Sequence, residues 1–259
     1  MKHCRFAFAS VAVILVLWAT PAHAQRVLFV GNSLIGYNDM PATFQHLAES
    51  TGKKPYVEEY IWYGQSLKTQ YGRADLQTAL MTKKWDFVVL QDYSTEALKV
   101  PDVFDKSVAD FDKLAKAAGA KTLLIENWAL KGQSTLPGIE AAYTKAAQPV
   151  GGTLVPLALA WNAVNTKSTI NLYRDTKHPT PIATFMAACV LFGTIYAQSP
   201  ATLPHEGVMN VPRFANGKYG GVPNPRDFVN LDTVNPPADV KFVQSVAVDL
   251  FKAASASSK

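Results

Sequence analysis

Two periods of hydrophobicity alternate along this chain, one of two residues and one of about 3.6, and their succession sets out its elements. Positions 27–30 (Val-Leu-Phe-Val) form a short apolar run that stops at Gly31, which reads as a strand followed by a turn. A helical pattern begins near Asp39: Met40, Phe44, Leu47 and Ala48 fall on one side, Asn38 or Asp39 can cap the start, Pro41 sits in the first turn, and Gly52 follows the end. Positions 56–61 predict a second strand, running into Trp62-Tyr63-Gly64-Gln65-Ser66. A helix over 67–81 comes next, then a buried strand over 86–90. A helix over 102–118 ends at Gly119, a strand covers 121–126, a helix spans 138–147, and Gly151-Gly152 leads to a short fifth strand at 153–156.

Alternating strands and helices are the signature of a mostly parallel sheet covered on both faces, so the pattern predicts an α/β fold: a three-layer α/β/α sandwich around five strands. The last third differs in texture. Positions 179–196 read as a long, largely apolar helix packed against the sheet, and 238–253 as an amphipathic one. Between them, 199–237 is rich in Pro, Gly and Asn with little periodicity, and is expected to be an irregular insertion or lid. Neither an internal repeat nor a linker suggests a second domain.

The first residues stand outside this scheme. Lys2 and Arg5 precede an apolar run over 6–18, and Pro21-Ala22-His23-Ala24 supplies a small-x-small cleavage pattern. The run is shorter than the roughly 20 residues a spanning helix needs. Residues 1–24 therefore read as a secretory signal peptide and 25–259 as one domain, exported to the periplasm or secreted, with no integral membrane segment after signal removal. Cys4 belongs to the signal, which leaves Cys189 as the only cysteine and rules out an intramolecular disulfide in the mature chain. Lys2 and Arg5 account for two of the formal +5 charges, so +3 remains. No basic run interleaved with aromatics points to nucleic acid.

The chemistry starts from Ser33, which follows Gly31-Asn32 on the strand-to-helix turn, where an α/β fold binds its ligands. All three residue types also suit an ordinary turn. A serine becomes a nucleophile only beside a base, and that base needs a third group to orient it. Three histidines remain after signal removal. His46 falls on the polar side of its helix and His205 in the irregular segment, both expected to be solvated. His178 follows Asp175 by three in Asp175-Thr176-Lys177-His178-Pro179, a spacing that lets both side chains emerge from one turn. An N-cap and its neighbour have the same spacing.

Taken together, Gly31-Asn32-Ser33 and Asp175-x-x-His178 resemble the first and last blocks of the SGNH (GDSL-like) hydrolase superfamily, in the bacterial branch with asparagine before the serine, and the resemblance covers nearly all of the chain after the signal. It implies a flavodoxin-like fold with Ser33 as nucleophile, His178 as general base and Asp175 as its partner. Gly64 matches the oxyanion glycine of the second block. The third block departs: the family usually has Gly-x-Asn-Asp, and the matching strand end here is Leu90-Gln91-Asp92. The resemblance thus implies an oxyanion hole of the Ser33 and Gly64 backbone N–H groups with the Gln91 side chain, and Asn127 as the fallback donor.

That chemistry needs neither cofactor nor metal. Three scattered histidines without His-Glu-x-x-His make a poor zinc site, and phosphate- and dinucleotide-binding glycine motifs are absent. Gly36 lies one position too far from Ser33 for a Gly-x-Ser-x-Gly elbow. The resemblance implies an esterase acting on small acyl esters, acetyl groups on glycans by analogy, with Trp62, Tyr63, Gln65, Tyr93, Asn127 and Trp128 near the expected mouth. The aromatic members suit core packing equally well. A glycan O-acyltransferase with the same triad, a non-catalytic glycan-binding module and a secreted structural protein remain alternatives.

Overall fold

The structure, a computed structural model, describes residues 24–208, 217–222 and 227–257. Apart from Ala24, the expected signal segment lies outside these residues. The elements are, in order, β1 (Arg26–Gly31), α1 (Ser33–Gly36), α2 (Met40–Glu49), β2 (Tyr56–Trp62), α3 (Leu67–Tyr71), α4 (Ala74–Thr82), β3 (Phe87–Leu90), α5 (Glu96–Lys99) and α6 (Pro101–Ala117). They continue with β4 (Lys121–Ile125), α7 (Leu136–Ala147), β5 (Thr153–Val155), α8 (Leu157–Lys167), α9 (Pro181–Tyr196), β6 (Glu206–Val208), β7 (Lys218–Gly221), β8 (Phe228–Asn230) and α10 (Pro237–Ser257).

The main sheet has the order β5-β4-β3-β1-β2-β7, parallel throughout except for β7, which runs antiparallel to β2. Helices cover both faces. That is why β1 is a continuous apolar run: Val27 and Phe29 enter one core with α2, α8, α9 and α10, while Leu28 and Val30 enter the other with α4, α6 and α7. α9 is buried nearly all round, as its unbroken apolar sequence requires. The strand order reverses between β1 and β3, and ligands of such sheets bind outside the carboxyl ends at that switch point.

Several details differ from the sequence-based expectation. The sheet has a sixth strand, β7, drawn from the 199–237 segment. That segment also supplies β6 and β8, an antiparallel pair, so its described part holds three short strands. β7 is held by Arg73, a buried cation whose Nη2 donates to Tyr219 O at 3.0 Å while Nη1 donates to Ile61 O at 3.2 Å. The same residue interrupts the helix expected over 67–81, which splits into α3 and α4 around Gly72-Arg73. α8 is an unpredicted helix: it starts directly from β5 at Pro156, with no capping side chain to mark it.

Candidate active site

The chain turns at the end of β1 because Gly31 has no side chain. A Cβ there would lie 2.5 Å from the Ile35 side chain and 3.0 Å from Gln91 Oε1. Asn32 then uses all of its polar groups as scaffold. Its side-chain oxygen caps α1 by accepting from Leu34 N at 3.1 Å, its side-chain amide donates to Gln65 O at 3.1 Å, and its backbone N–H donates to Gln91 Oε1 at 3.0 Å. Ser33, the first residue of α1, is thereby aimed outward with 8% of its surface exposed.

The second half of the site is the turn between α8 and α9. Asp175 Oδ1 accepts from the backbone N–H groups of Lys177 (2.8 Å) and His178 (2.9 Å), which closes the turn, and Oδ2 faces His178 Nδ1 at 2.7 Å. His178 Nε2 lies 2.9 Å from Ser33 Oγ. Partial burial would raise the Asp175 pKa, but the His178 backbone N–H, the His178 ring and the Lys177 N–H together hold its carboxyl well below the usual carboxylate range. The helix-cap alternative does not hold, because α9 begins at Pro181 with Thr180 in the cap position.

Contacts within this turn and with the rest of the fold hold it in place. Arg174 N donates to His178 O at 2.8 Å, and Trp128 Nε1 donates to Lys177 O at 2.9 Å. Buried Asn38 donates to both Pro179 O (3.0 Å) and Thr184 Oγ1 (2.9 Å), so the nucleophile loop is tied directly to the residue after His178. The Tyr37 ring packs on the imidazole with centroids 4.2 Å apart.

Gly64 stands in the exposed loop after β2 with φ +74°, a conformation that favours glycine, and its N–H donates to no described residue. The N–H of Ser33 is likewise unengaged among the described residues. Gln91 is different. Its Oε1 must face the Asn32 N–H, which turns its amide nitrogen toward Asn127 Oδ1 at 2.9 Å and toward Asp92 O. Asn127 in turn donates to Asp92 O and Tyr93 O, each at 3.0 Å. Both amides are buried and spent on holding the ends of β3 and β4 together, so neither the Gln91 donor nor its Asn127 fallback points at Ser33 as an oxyanion donor. The longer glutamine stem reaches back under β1, where it serves the backbone of the nucleophile turn.

The expected mouth residues divide in the same way. Tyr63 stacks on Tyr37 at 5.5 Å, Trp62 lies under Lys218 Nζ at 4.5 Å, and Tyr93 lies under Lys177 Nζ at 5.0 Å, all three half-buried. Trp128 and Asn127 are instead interior, with Trp128 stacked flat on Trp161 at 3.8 Å. Sequence reasoning missed Tyr37, Arg174 and Lys177. Tyr37 follows Ser33 by four, one helical turn, which was the available signal. Arg174 packs its guanidinium 5.3 Å from the Tyr37 ring, the same ring that packs on the imidazole.

The other two histidines are held by partners, contrary to the solvated surface positions expected. His46 Nε2 is 2.5 Å from Glu206 Oε2 and its ring stacks on Phe228, while His205 faces Asp232 and Gln244. Asp92, whose Oδ1 accepts from Leu67 N at 2.7 Å and Tyr93 N at 2.6 Å, leaves Oδ2 buried without a partner, and burial pushes its pKa up to about 7. Glu126 is similar: burial first, then nearby Glu140, pushes it up to about 7. Among the described residues no group of three or more His, Cys, Asp or Glu is placed to hold a metal ion, and no helix is long and apolar enough to cross a membrane.

No family model matches this chain, and neither does any curated protein. Solved structures do. A protein from Slackia heliotrinireducens described as a candidate SGNH hydrolase is 31% identical over 66% of this chain and 99% of its own length, with a TM-score of 0.58. This chain belongs to the SGNH hydrolase superfamily. Two solved structures of lower identity share the fold: a DUF4886 family protein from Bacteroides uniformis (18% identity, 87% of this chain and 94% of that one, TM-score 0.62) and a variant of an acetyl-xylooligosaccharide esterase from Geobacillus (14%, 67% and 93%, TM-score 0.52). The Asp175–His178–Ser33 line of this SGNH chain lies at the switch point of its sheet, beside the open N–H groups of Ser33 and Gly64.

Proposed function

We propose that this SGNH hydrolase is an exported serine esterase that removes small acyl groups, acetyl foremost, from carbohydrate esters. The observation that carries the reading is the line of contacts from Asp175 Oδ2 through both ring nitrogens of His178 to Ser33 Oγ, at 2.7 and 2.9 Å. Ser33 Oγ attacks the acyl carbon and passes its proton to His178 Nε2, while Asp175 holds the imidazole by Nδ1 and stabilises the imidazolium. Charge on the tetrahedral oxygen falls to the backbone N–H groups of Ser33 and Gly64. Each such donor is worth roughly 3 to 4 kcal/mol in the transition state. Collapse expels the alcohol with the proton from His178. Water then repeats the cycle on the acyl-serine, releasing the acid.

Carbohydrate is supported by the half-buried aromatic rim of Trp62, Tyr63 and Tyr93, and by the similarity to a structure named as an acetyl-xylooligosaccharide esterase. Export rests on the charged, apolar and small-residue succession of 1–24. The test is intact-mass analysis after exposure to a small fluorophosphonate. One adduct is expected on the wild type, absent in Ser33→Ala and formed far more slowly in His178→Ala. A well-folded wild type without an adduct would overturn the proposal. Product analysis with an added sugar acceptor separates hydrolysis from acyl transfer.

A further inference from the structure

Beside the triad, and separate from it, lies a cleft of about 820 Å³, within the range of small-molecule sites. One wall is the connection 129–137 between β4 and α7. The other is formed by α8 and by residues 168–173, the segment that runs straight on into Arg174 and Asp175. The two walls meet next to the catalytic turn, where Lys131 N donates to Thr176 O at 2.9 Å. The floor is coupled to the same turn: Trp161 lies flat on Trp128, whose indole nitrogen holds Lys177 O.

Apolar positions such as Leu136 and Ile170 share the lining with polar ones. It carries amides and hydroxyls, among them Gln133, Asn162, Thr169 and Asn171, together with the aromatic side chains of Trp161 and Tyr173. Its one cation is Lys131, and no carboxylate lines it. Part of this polar surface is already ordered, since Asn165 Nδ2 donates to the Tyr173 hydroxyl at 3.2 Å and that hydroxyl donates to Ala129 O at 2.8 Å. Gln133 and Asn162 are exposed, with side-chain amides bonded to no described residue. The Trp161 indole N–H is buried without a partner, an uncommon condition for a polar group.

Paired donors and acceptors on neutral amides and hydroxyls suit a ligand that is uncharged and rich in hydroxyls. An anionic ligand would call for more than one cation, and a cationic one for carboxylates. We propose that this cleft binds a neutral oligosaccharide, the chain that carries the ester, and delivers its acyl group to Ser33 from the side of the Asp175 turn. The link to catalysis rests on the esterase reading above; the binding itself does not.

The experiment uses Ser33→Ala protein of the full mature chain, titrated calorimetrically with cellohexaose, xylohexaose, mannohexaose and chitohexaose as probes. At least one is expected to bind, and Gln133→Ala/Asn162→Ala, which alters two exposed side chains, is expected to weaken that binding at least tenfold. Thr169→Trp, which fills the cleft from an exposed loop position, should do the same without removing a hydrogen bond. With the acetylated form of the bound sugar, both variants should lower kcat/KM at least tenfold relative to kcat/KM for p-nitrophenyl acetate in the same variant. No binding of any probe, or binding indifferent to both variants, overturns the proposal. Binding by the Ser33→Ala protein, with a wild type that forms no fluorophosphonate adduct, upholds the cleft and removes the esterase reading instead.

Discussion

Among its described residues this chain has two histidine–aspartate pairs of nearly the same length, and only one of them faces a serine. His178 Nδ1 lies 2.7 Å from Asp175, and its other nitrogen meets a serine hydroxyl at 2.9 Å. His205 Nδ1 lies 2.9 Å from Asp232, and its other nitrogen meets Gln244 Oε1 at 3.0 Å. That oxygen is fixed, because Gln244 Nε2 donates to Pro200 O and Leu203 O. The second pair therefore ties the β6–β8 ribbon to α10 and has no nucleophile to activate. A carboxylate behind an imidazole orients the ring; what faces the far nitrogen decides whether the ring does chemistry.

The most drastic way to break the contrast is to leave Asp175 in place sterically and remove its charge. Asp175→Asn is expected to lower kcat by roughly 10³ to 10⁴ with little change in the melting temperature, measured with a small chromogenic ester. An effect under tenfold would mean that the turn, not the charge, orients His178. A next smaller effect concerns the turn itself. Gln91→Leu removes the acceptor of the buried Asn32 N–H and is expected to cost about 1 to 3 kcal/mol in stability, read from urea unfolding, together with a drop in kcat as the Ser33 turn loosens.

Buried carboxylates without a histidine sharpen the comparison further. Asp175 has its pKa lowered by its partners, whereas Asp92 and Glu126 have theirs raised to about 7 by burial. Between about pH 4 and pH 7 the folded chain thus binds more protons than the unfolded one at those two residues, and stability falls as pH rises through that window. Each group is expected to contribute about 2 kcal/mol to the difference between pH 5 and pH 8. Asp92→Asn should remove about half of the slope in urea titrations. The contribution of Asp175 has the opposite sign and is lost only below about pH 4. The smallest effect on catalysis belongs to the second pair. His205→Gln is expected to cost about 1 to 2 kcal/mol of stability while leaving the esterase kcat within twofold of wild type. A large loss of kcat would make the two pairs functionally coupled.

The meeting of Ser33, Asp175 and His178 was legible because each lies in a short segment whose spacing carries its own meaning: Gly31-Asn32-Ser33 after a strand, and Asp175 three before His178. β1, α2 and α9 were legible because local periodicity and burial agree there. What escaped depends on partners distant in sequence. β7 is a Lys-Tyr-Gly-Gly stretch with no alternation, a strand only because β2 and, 146 residues from Tyr219, Arg73 offer their hydrogen bonds. Gln91 matches an oxyanion donor by its place in the chain, yet the Asn32 N–H 59 residues away claims its oxygen and sets its orientation. Trp128 has the composition of a sugar-binding residue and the environment of a core one, and composition alone does not separate them.

The Asn38 side chain, which bonds Pro179 O and Thr184 Oγ1 across 141 and 146 residues, bears on when this protein becomes reactive. The hydroxyl and the imidazole it aligns lie 145 residues apart in sequence, and no local segment holds both. Closing so long a loop is among the later events available to such a chain. A polypeptide still extended, as in transit through a narrow conduit, has an ordinary serine and an ordinary histidine. The contact between His178 Nε2 and Ser33 Oγ therefore belongs to the folded chain alone.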